Sequence, residues 1–334
     1  MRSAPYRGFP SGHAIAVAIL LIAGIAACSR AMKQTVATPG APPPMASLWQ
    51  APADPATRDL FHGPGAEKLK PASTTFEFVA QDVTGHSPGF DVRDANGVEW
   101  SVKLGPESQS EVVTSRVLWA MGYHQPPTYY LPAWTMTGNQ SGAQPPGRFR
   151  PELPHEKVTG DWSWYENPFV GTREFGGLIV ANLLLTNWDW KTSNNKIYAN
   201  AGGAERYVVR DLGASLGRFS YPAILKWFRL RGFGQGSRNN VEHFEAQGFV
   251  TGITEGRVEF DYRGIYKDVV DSVKPADLAW ACDRLGRLSD AQWRDAFRAA
   301  GYDENQTRRF VAKIKHKIEE GRRLAASTPA QSSR

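Results

Sequence analysis

Two short apolar runs, at residues 197–199 and 207–209, flank Asn200-Ala201-Gly202-Gly203-Ala204-Glu205. Turn-forming residues between two such runs read as a β-hairpin. The midpoint between positions 194 and 211 falls between Gly202 and Gly203. A hairpin centred there sets Asn194 opposite Asp211 at its open end, with backbones about 5 Å apart. An amide oxygen and a carboxylate side by side are hard donors suited to Mg²⁺. Buried without a ligand, the same pair would carry an uncompensated desolvation cost. Upstream, the apolar stretch 175–186 reads as a buried helix that runs into Asn187-Trp188-Asp189-Trp190-Lys191-Thr192-Ser193-Asn194. Any fold for this chain must therefore bring helix, polar loop and hairpin mouth together.

The earlier part of the chain holds a second constellation. Residues 75–83 alternate as a strand and lead into Thr84-Gly85-His86-Ser87-Pro88-Gly89. Asp94-Ala95-Asn96-Gly97 then joins the runs 90–93 and 98–103 as a hairpin. Val98, Trp100 and Val102 share one face, and Glu99, Ser101 and Lys103 the other. A turn centred at Asn96-Gly97 sets Lys103 across from Phe90, beside the glycine loop. A lysine next to a loop of backbone N–H groups is an arrangement suited to phosphate. Pro106 opens a helix and Gly122 stops it. Glu107 and Glu111 lie one turn apart on this helix, and Val113, Val117, Ala120 and Met121 form its buried side.

Taken in order, these motifs resemble the protein kinases. Asp189-x-Lys191-x-x-Asn194 resembles their catalytic loop and Asp211-Leu212-Gly213 their metal-binding Asp-x-Gly. Asn187-x-Asp189 also resembles the HipA-type and phosphatidylinositol-kinase-like branches. The resemblance covers roughly residues 75–215. It implies an α+β, bilobal, kinase-like fold, with an antiparallel sheet of about five strands over 75–135 and a mostly helical second lobe. It further implies a set of roles. Gly85 and Gly89 would let the loop approach the phosphates of ATP or a related nucleotide, and Lys103 would hold the α- and β-phosphates. Glu111, or in second place Glu107, would orient Lys103. Asp189 would accept the proton of the attacking hydroxyl, and Lys191 would neutralise charge on the transferred phosphoryl. Asn194 and Asp211 would bind Mg²⁺. These are the groups that phosphoryl transfer needs, because its catalysis is mostly positioning and charge neutralisation. Three departures stand out: eight positions separate Lys103 from Glu111, the loop has two glycines, and no Ala-Pro-Glu follows Asp211-Leu212-Gly213.

The first 27 residues read as an address. Arg2 and Arg7 precede an apolar run at 14–27, which suits a signal-peptide core better than a spanning helix. It ends Ile25-Ala26-Ala27-Cys28, which resembles the lipobox of bacterial lipoproteins. That resemblance implies a signal peptide over 1–27 and lipid on Cys28. Ser29 after the cysteine implies the periplasmic face of the outer membrane in the bacterial envelope. Residues 28–60, rich in Pro and Ala, read as an extended tether. The N-lobe is expected over 61–140, the C-lobe over 141–326 and a disordered tail over 327–334. The phosphate acceptor, whether protein, sugar or lipid, is not named by any motif. A periplasm holds little ATP, so a second reading stays open: an inactive, kinase-fold binding lipoprotein.

Composition narrows the classes. Only two cysteines, Cys28 and Cys282, exclude a disulfide framework and a cysteine-based zinc site. The 39 Lys and Arg against 33 Asp and Glu are spread along the chain, with no basic stripe except near the C-terminus, so no nucleic-acid partner is expected. Trp162, Trp164, Trp188 and Trp190 read as packing residues rather than a sugar platform. A strand pair is expected around 252–256, and three helices at 276–288, 290–300 and 304–326. The last carries an apolar stripe of Phe310, Ile314 and Ile318, with a basic exterior that includes Arg309, Lys315, Lys317 and Arg322.

Overall fold

Seven strands form the first layer: β1 (Thr75–Asp82), β2 (Gly89–Arg93), β3 (Glu99–Leu104), β4 (Tyr129–Leu131), β5 (Trp134–Thr137), β6 (Gly142–Gln144) and β7 (Gly147–Pro151). In this computed structural model, which describes residues 43–82, 88–219 and 236–327, they lie in the order β4-β7-β3-β2-β1-β5-β6. The sheet is larger than expected. β1 pairs with β5 in parallel while the other pairs are antiparallel, and β6 and β7 extend the N-lobe past residue 140. One face holds Phe76, Phe90, Val92, Trp100, Val102, Trp134 and Phe149, all buried. The rings of Trp134 and Phe149 meet edge to face at 5.2 Å. Each such side chain contributes about 1.5–3 kcal/mol on burial. Strand alternation puts Asp91, Ser101, Lys103, Arg148 and Arg150 on the opposite face.

The β2–β3 turn has three residues between the closing pair rather than two. Asp94 Oδ1 accepts from the N–H groups of Asn96 and Val98, and Gly97 supplies the left-handed φ of +79°. The register therefore pairs Lys103 with Gly89, one position from the expected Phe90.

Helix α1 (Glu107–Met121) starts after Pro106 and ends at Gly122, whose φ of +109° and N–H bonds to Leu118 and Trp119 close it. Val112, Val113, Val117 and Leu118 are buried in the main core, shared with the second lobe. That lobe begins with β8 (Glu156–Asp161), followed by α2 (Arg173–Leu184), β9 (Asn195–Asn200) and β10 (Glu205–Val209). Thr172 Oγ1 caps α2 by accepting from Phe175 N. The strands β10-β9-β8 form a small antiparallel sheet. Then come α3 (Val241–Ala246), the pair β11 (Val250–Thr254) and β12 (Arg257–Phe260), α4 (Lys267–Val270), α5 (Pro275–Leu285), α6 (Asp290–Arg298) and α7 (Glu304–Ala326). The architecture is α+β, with the sheet-rich half first and the mostly helical half second, as the sequence reading expects.

Two further expectations need correction. The extended tether does not hold for residues 43–60. Met45–Ser47 is a 3-10 turn, and Leu48 and Leu60 are buried in the main core, because these apolar residues interrupt the proline-rich stretch. The basic exterior of α7 is largely spent. Lys317 is fully buried, donating to Leu184 O at 3.1 Å, and Arg309 pairs with Glu242 and Glu245. Cys28 with the signal segment, the rest of the tether, Gly85 with its loop, and the tail beyond Ser327 lie outside the described residues.

Candidate active site

Lys103 is the centre of the site. It leaves β3 on the polar face, where its Nζ lies 3.0 Å from Asp211 Oδ1, 3.2 Å from Glu111 Oε2 and 3.4 Å from Glu107 Oε2. Both glutamates thus reach the lysine, because four residues along α1 return to the same face. Glu111 is buried and has a second cation, with Arg148 Nε 3.0 Å from its Oε1 though off-axis for a hydrogen bond. Burial alone would raise the Glu111 carboxyl, but Arg148 and Lys103 outweigh it and hold the acid below its ordinary range. Asp211 shows the same balance. Burial opposes its charge, yet Lys103, through both charge and hydrogen bond, and then Arg210 and Arg148 pull it well down. Both carboxylates are therefore ionised at neutral pH.

The hairpin that delivers Asp211 repeats the device seen at Gly97. Asn200 Oδ1 accepts from the N–H groups of Gly202 and Ala204, and Gly203 has φ +76°. This three-residue loop shifts the register by one. Asn194 O accepts from Arg210 N at 2.8 Å, so Arg210 rather than Asp211 stands opposite Asn194. Asp211 lies just past the ladder with φ +52°, a left-handed backbone costly for a non-glycine residue. That turn takes the chain toward Lys103. The following residues dock on α1: Ser110 Oγ donates to Gly213 O at 2.7 Å, and a Cβ on Gly213 would lie 2.5 Å from Glu107 Cβ. Only glycine fits that approach.

Asp189 and its neighbours lie in the loop between α2 and β9. Asn187 is buried and ties back to α2, donating from Nδ2 to Asn182 Oδ1 at 2.8 Å. Trp190 stacks on Trp164 with ring centroids 4.7 Å apart, and all four tryptophans of this region are buried, as expected of packing residues. Asn194 Nδ2 donates to Asp189 O at 2.9 Å. Lys191 Nζ donates to Asp189 Oδ2 at 2.9 Å, half exposed to solvent. Lys103, Glu111 and Asp211 are thus in direct contact. Asn194 joins them through Arg210, Asp189 through Asn194, and Gly89 faces Lys103 in the ladder.

No protein-family model matches the chain, and no curated protein matches it. Solved structures do. The Helicobacter pylori proinflammatory kinase CtkA is similar at 12% identity, over 76% of this chain and 98% of its own, with a TM-score of 0.46. The golgi casein kinase is similar at 10% identity, over 76% and 71%, with a TM-score of 0.30. A MAP kinase from Leishmania major is similar at 13% identity, over 75% and 82%, with a TM-score of 0.21.

Two site residues escaped the sequence reading. Arg148 belongs to β7, whose Arg148-Phe149-Arg150 alternation was the available signal: one apolar residue to the core, two cations to the cleft. Arg238 pairs with Glu107 and lies over the Trp188 ring at 5.0 Å. Nothing in its local sequence marked it.

Proposed function

We propose that this chain is a membrane-anchored, Mg²⁺-dependent phosphotransferase that moves a phosphoryl group from a nucleotide to a hydroxyl of a protein, sugar or lipid. The observation that carries the reading is the meeting of Lys103 from β3, Glu111 from α1 and Asp211 from the turn after β10. An ammonium held by two ionised carboxylates is a preset phosphate partner. Lys103 would hold the α- and β-phosphates, with Glu111 and Arg148 fixing its position.

The donor set fits a hard cation. Asp211 stays ionised, and Asn194 spends its amide N–H on Asp189 O, which leaves its Oδ1 as the ligand atom. When bound, Mg²⁺ would neutralise phosphate charge. Asp189 would accept the acceptor's hydroxyl proton, and Lys191 would lie against the equatorial oxygens of the transferred group. Cys28, as the lipidated residue, would place this activity on the periplasmic face of the outer membrane.

The test is a thermal-shift titration with ATP and with GTP, with and without Mg²⁺, followed by a transfer assay on Asp189→Ala. Nucleotide at roughly 100 times its Kd adds about 2.7 kcal/mol of stability. Asp189→Ala retains binding and loses transfer. A purified chain that binds neither nucleotide favours the inactive, kinase-fold binding lipoprotein instead.

A further inference from the structure

Two positions before Lys103, the polar face of the sheet carries a row of hydrogen-bonding side chains. Ser101 pairs with Asp91 on one side and with Arg150 on the other, so three polar residues form a single cross-strand row. Adjacent strands lie about 4.8 Å apart, which sets the Asp91 and Arg150 backbones roughly 10 Å from each other across the row. The row faces the second lobe. Its flanking residues Phe90, Val92, Trp100, Val102 and Phe149 are turned into the aromatic core, while Lys103, two positions from Ser101, reaches Asp211. Arg150 is 8% exposed, donates to Ser101 Oγ at 3.2 Å, and feels the charges of Arg210 and Tyr198 from the opposite lobe. Arg210 in turn donates to Tyr198 Oη at 2.9 Å. Among the described residues, no ion pair joins Arg150 or Arg210 to a carboxylate within 4 Å.

A buried guanidinium needs acceptors, and a carboxylate across the row needs donors. Guanine offers both: O6 and N7 accept, while the ring N–H and the 2-amino group donate. Adenine turns an amino donor where guanine has O6, so Arg150 would face a second donor. Polar sites of this kind reject a mismatched ligand because their own groups are left unpaired. We propose that the nucleotide of this site carries a guanine base, read by Arg150 through O6 and N7 and by Asp91 through the donor edge. The inference rests on the phosphotransferase reading above.

The experiment measures Kd for GTP and ATP, each with Mg²⁺, on the full chain and on Arg150→Gln and Asp91→Asn. The wild type binds GTP about tenfold or more tighter than ATP. Arg150→Gln reverses or abolishes the preference, because a glutamine amide suits adenine N6 and N7. Asp91→Asn, an isosteric change at a partly buried position, weakens GTP about tenfold and ATP little. Equal binding of ATP and GTP by the wild type, or a loss in Asp91→Asn shared equally by both, overturns the base assignment alone. Binding of neither nucleotide overturns the phosphotransferase reading beneath it.

Discussion

Lys103 Nζ and Asp211 Oδ1 lie 3.0 Å apart although 108 residues separate them in the chain. The contact joins the end of strand β3 to a residue just beyond a hairpin of the other lobe. It is also the reason Asp211 remains a carboxylate inside the cleft.

Replacing the lysine removes that support. Lys103→Met leaves Asp211 and Glu111 facing each other with Arg148 as the remaining close cation. Breaking a partly buried ion network of this kind costs about 1–3 kcal/mol in stability. Nucleotide affinity falls at least about tenfold, since the phosphate partner is gone. Chemical denaturation and titration calorimetry on the same preparation read both. A variant with unchanged affinity contradicts the assigned role.

The pH dependence has a definite sign. Asp211 and Glu111 have folded-state pKa values below their unfolded ones of about 4. Their contribution is therefore complete above about pH 5 and is lost as pH falls through the folded-state values. In Lys103→Met the Asp211 acid rises, so the acid limb begins at higher pH. Urea midpoints from pH 3 to 7 for both proteins check this. Parallel curves would contradict it.

Much of this site was legible in the sequence, and the errors share one cause. Both hairpins were read with two-residue turns at Asn96-Gly97 and Gly202-Gly203. Both close with three-residue loops whose last glycine is left-handed, each held by an Asp or Asn side chain at its start. One residue of register turns a strand over, so the slip should have misplaced every ligand. Lys103 survived because its face was set by Val102 and Trp100 entering the core. Asp211 survived because it stands outside the ladder, where its own positive φ aims it. Strand β7 went unread, since Arg148 and Arg150 hide its alternation until partners for both cations are known. Leu48 and Leu60 were lost in a proline-rich background, where burial depends on a core built far away in sequence.

Arg238 couples helix α1 to the polar loop, pairing with Glu107 while lying over Trp188. Arg238→Ala lets α1 shift and lowers nucleotide affinity several-fold without touching the nucleotide. A double-mutant cycle with Glu107→Gln gives a coupling energy of about 0.5–3 kcal/mol. Additive effects would show that the pair is idle.

The most direct measurement is the Mg²⁺ dependence of nucleotide binding by wild type and Asp211→Ala, read by titration calorimetry near pH 7.5. Among the described residues no cluster of three or more His, Cys, Asp or Glu could hold a metal in its place. The wild type binds nucleotide tightly only with Mg²⁺, and Asp211→Ala loses that dependence while its thermal unfolding remains cooperative. Mg²⁺-dependent binding undiminished in Asp211→Ala would contradict the site described here.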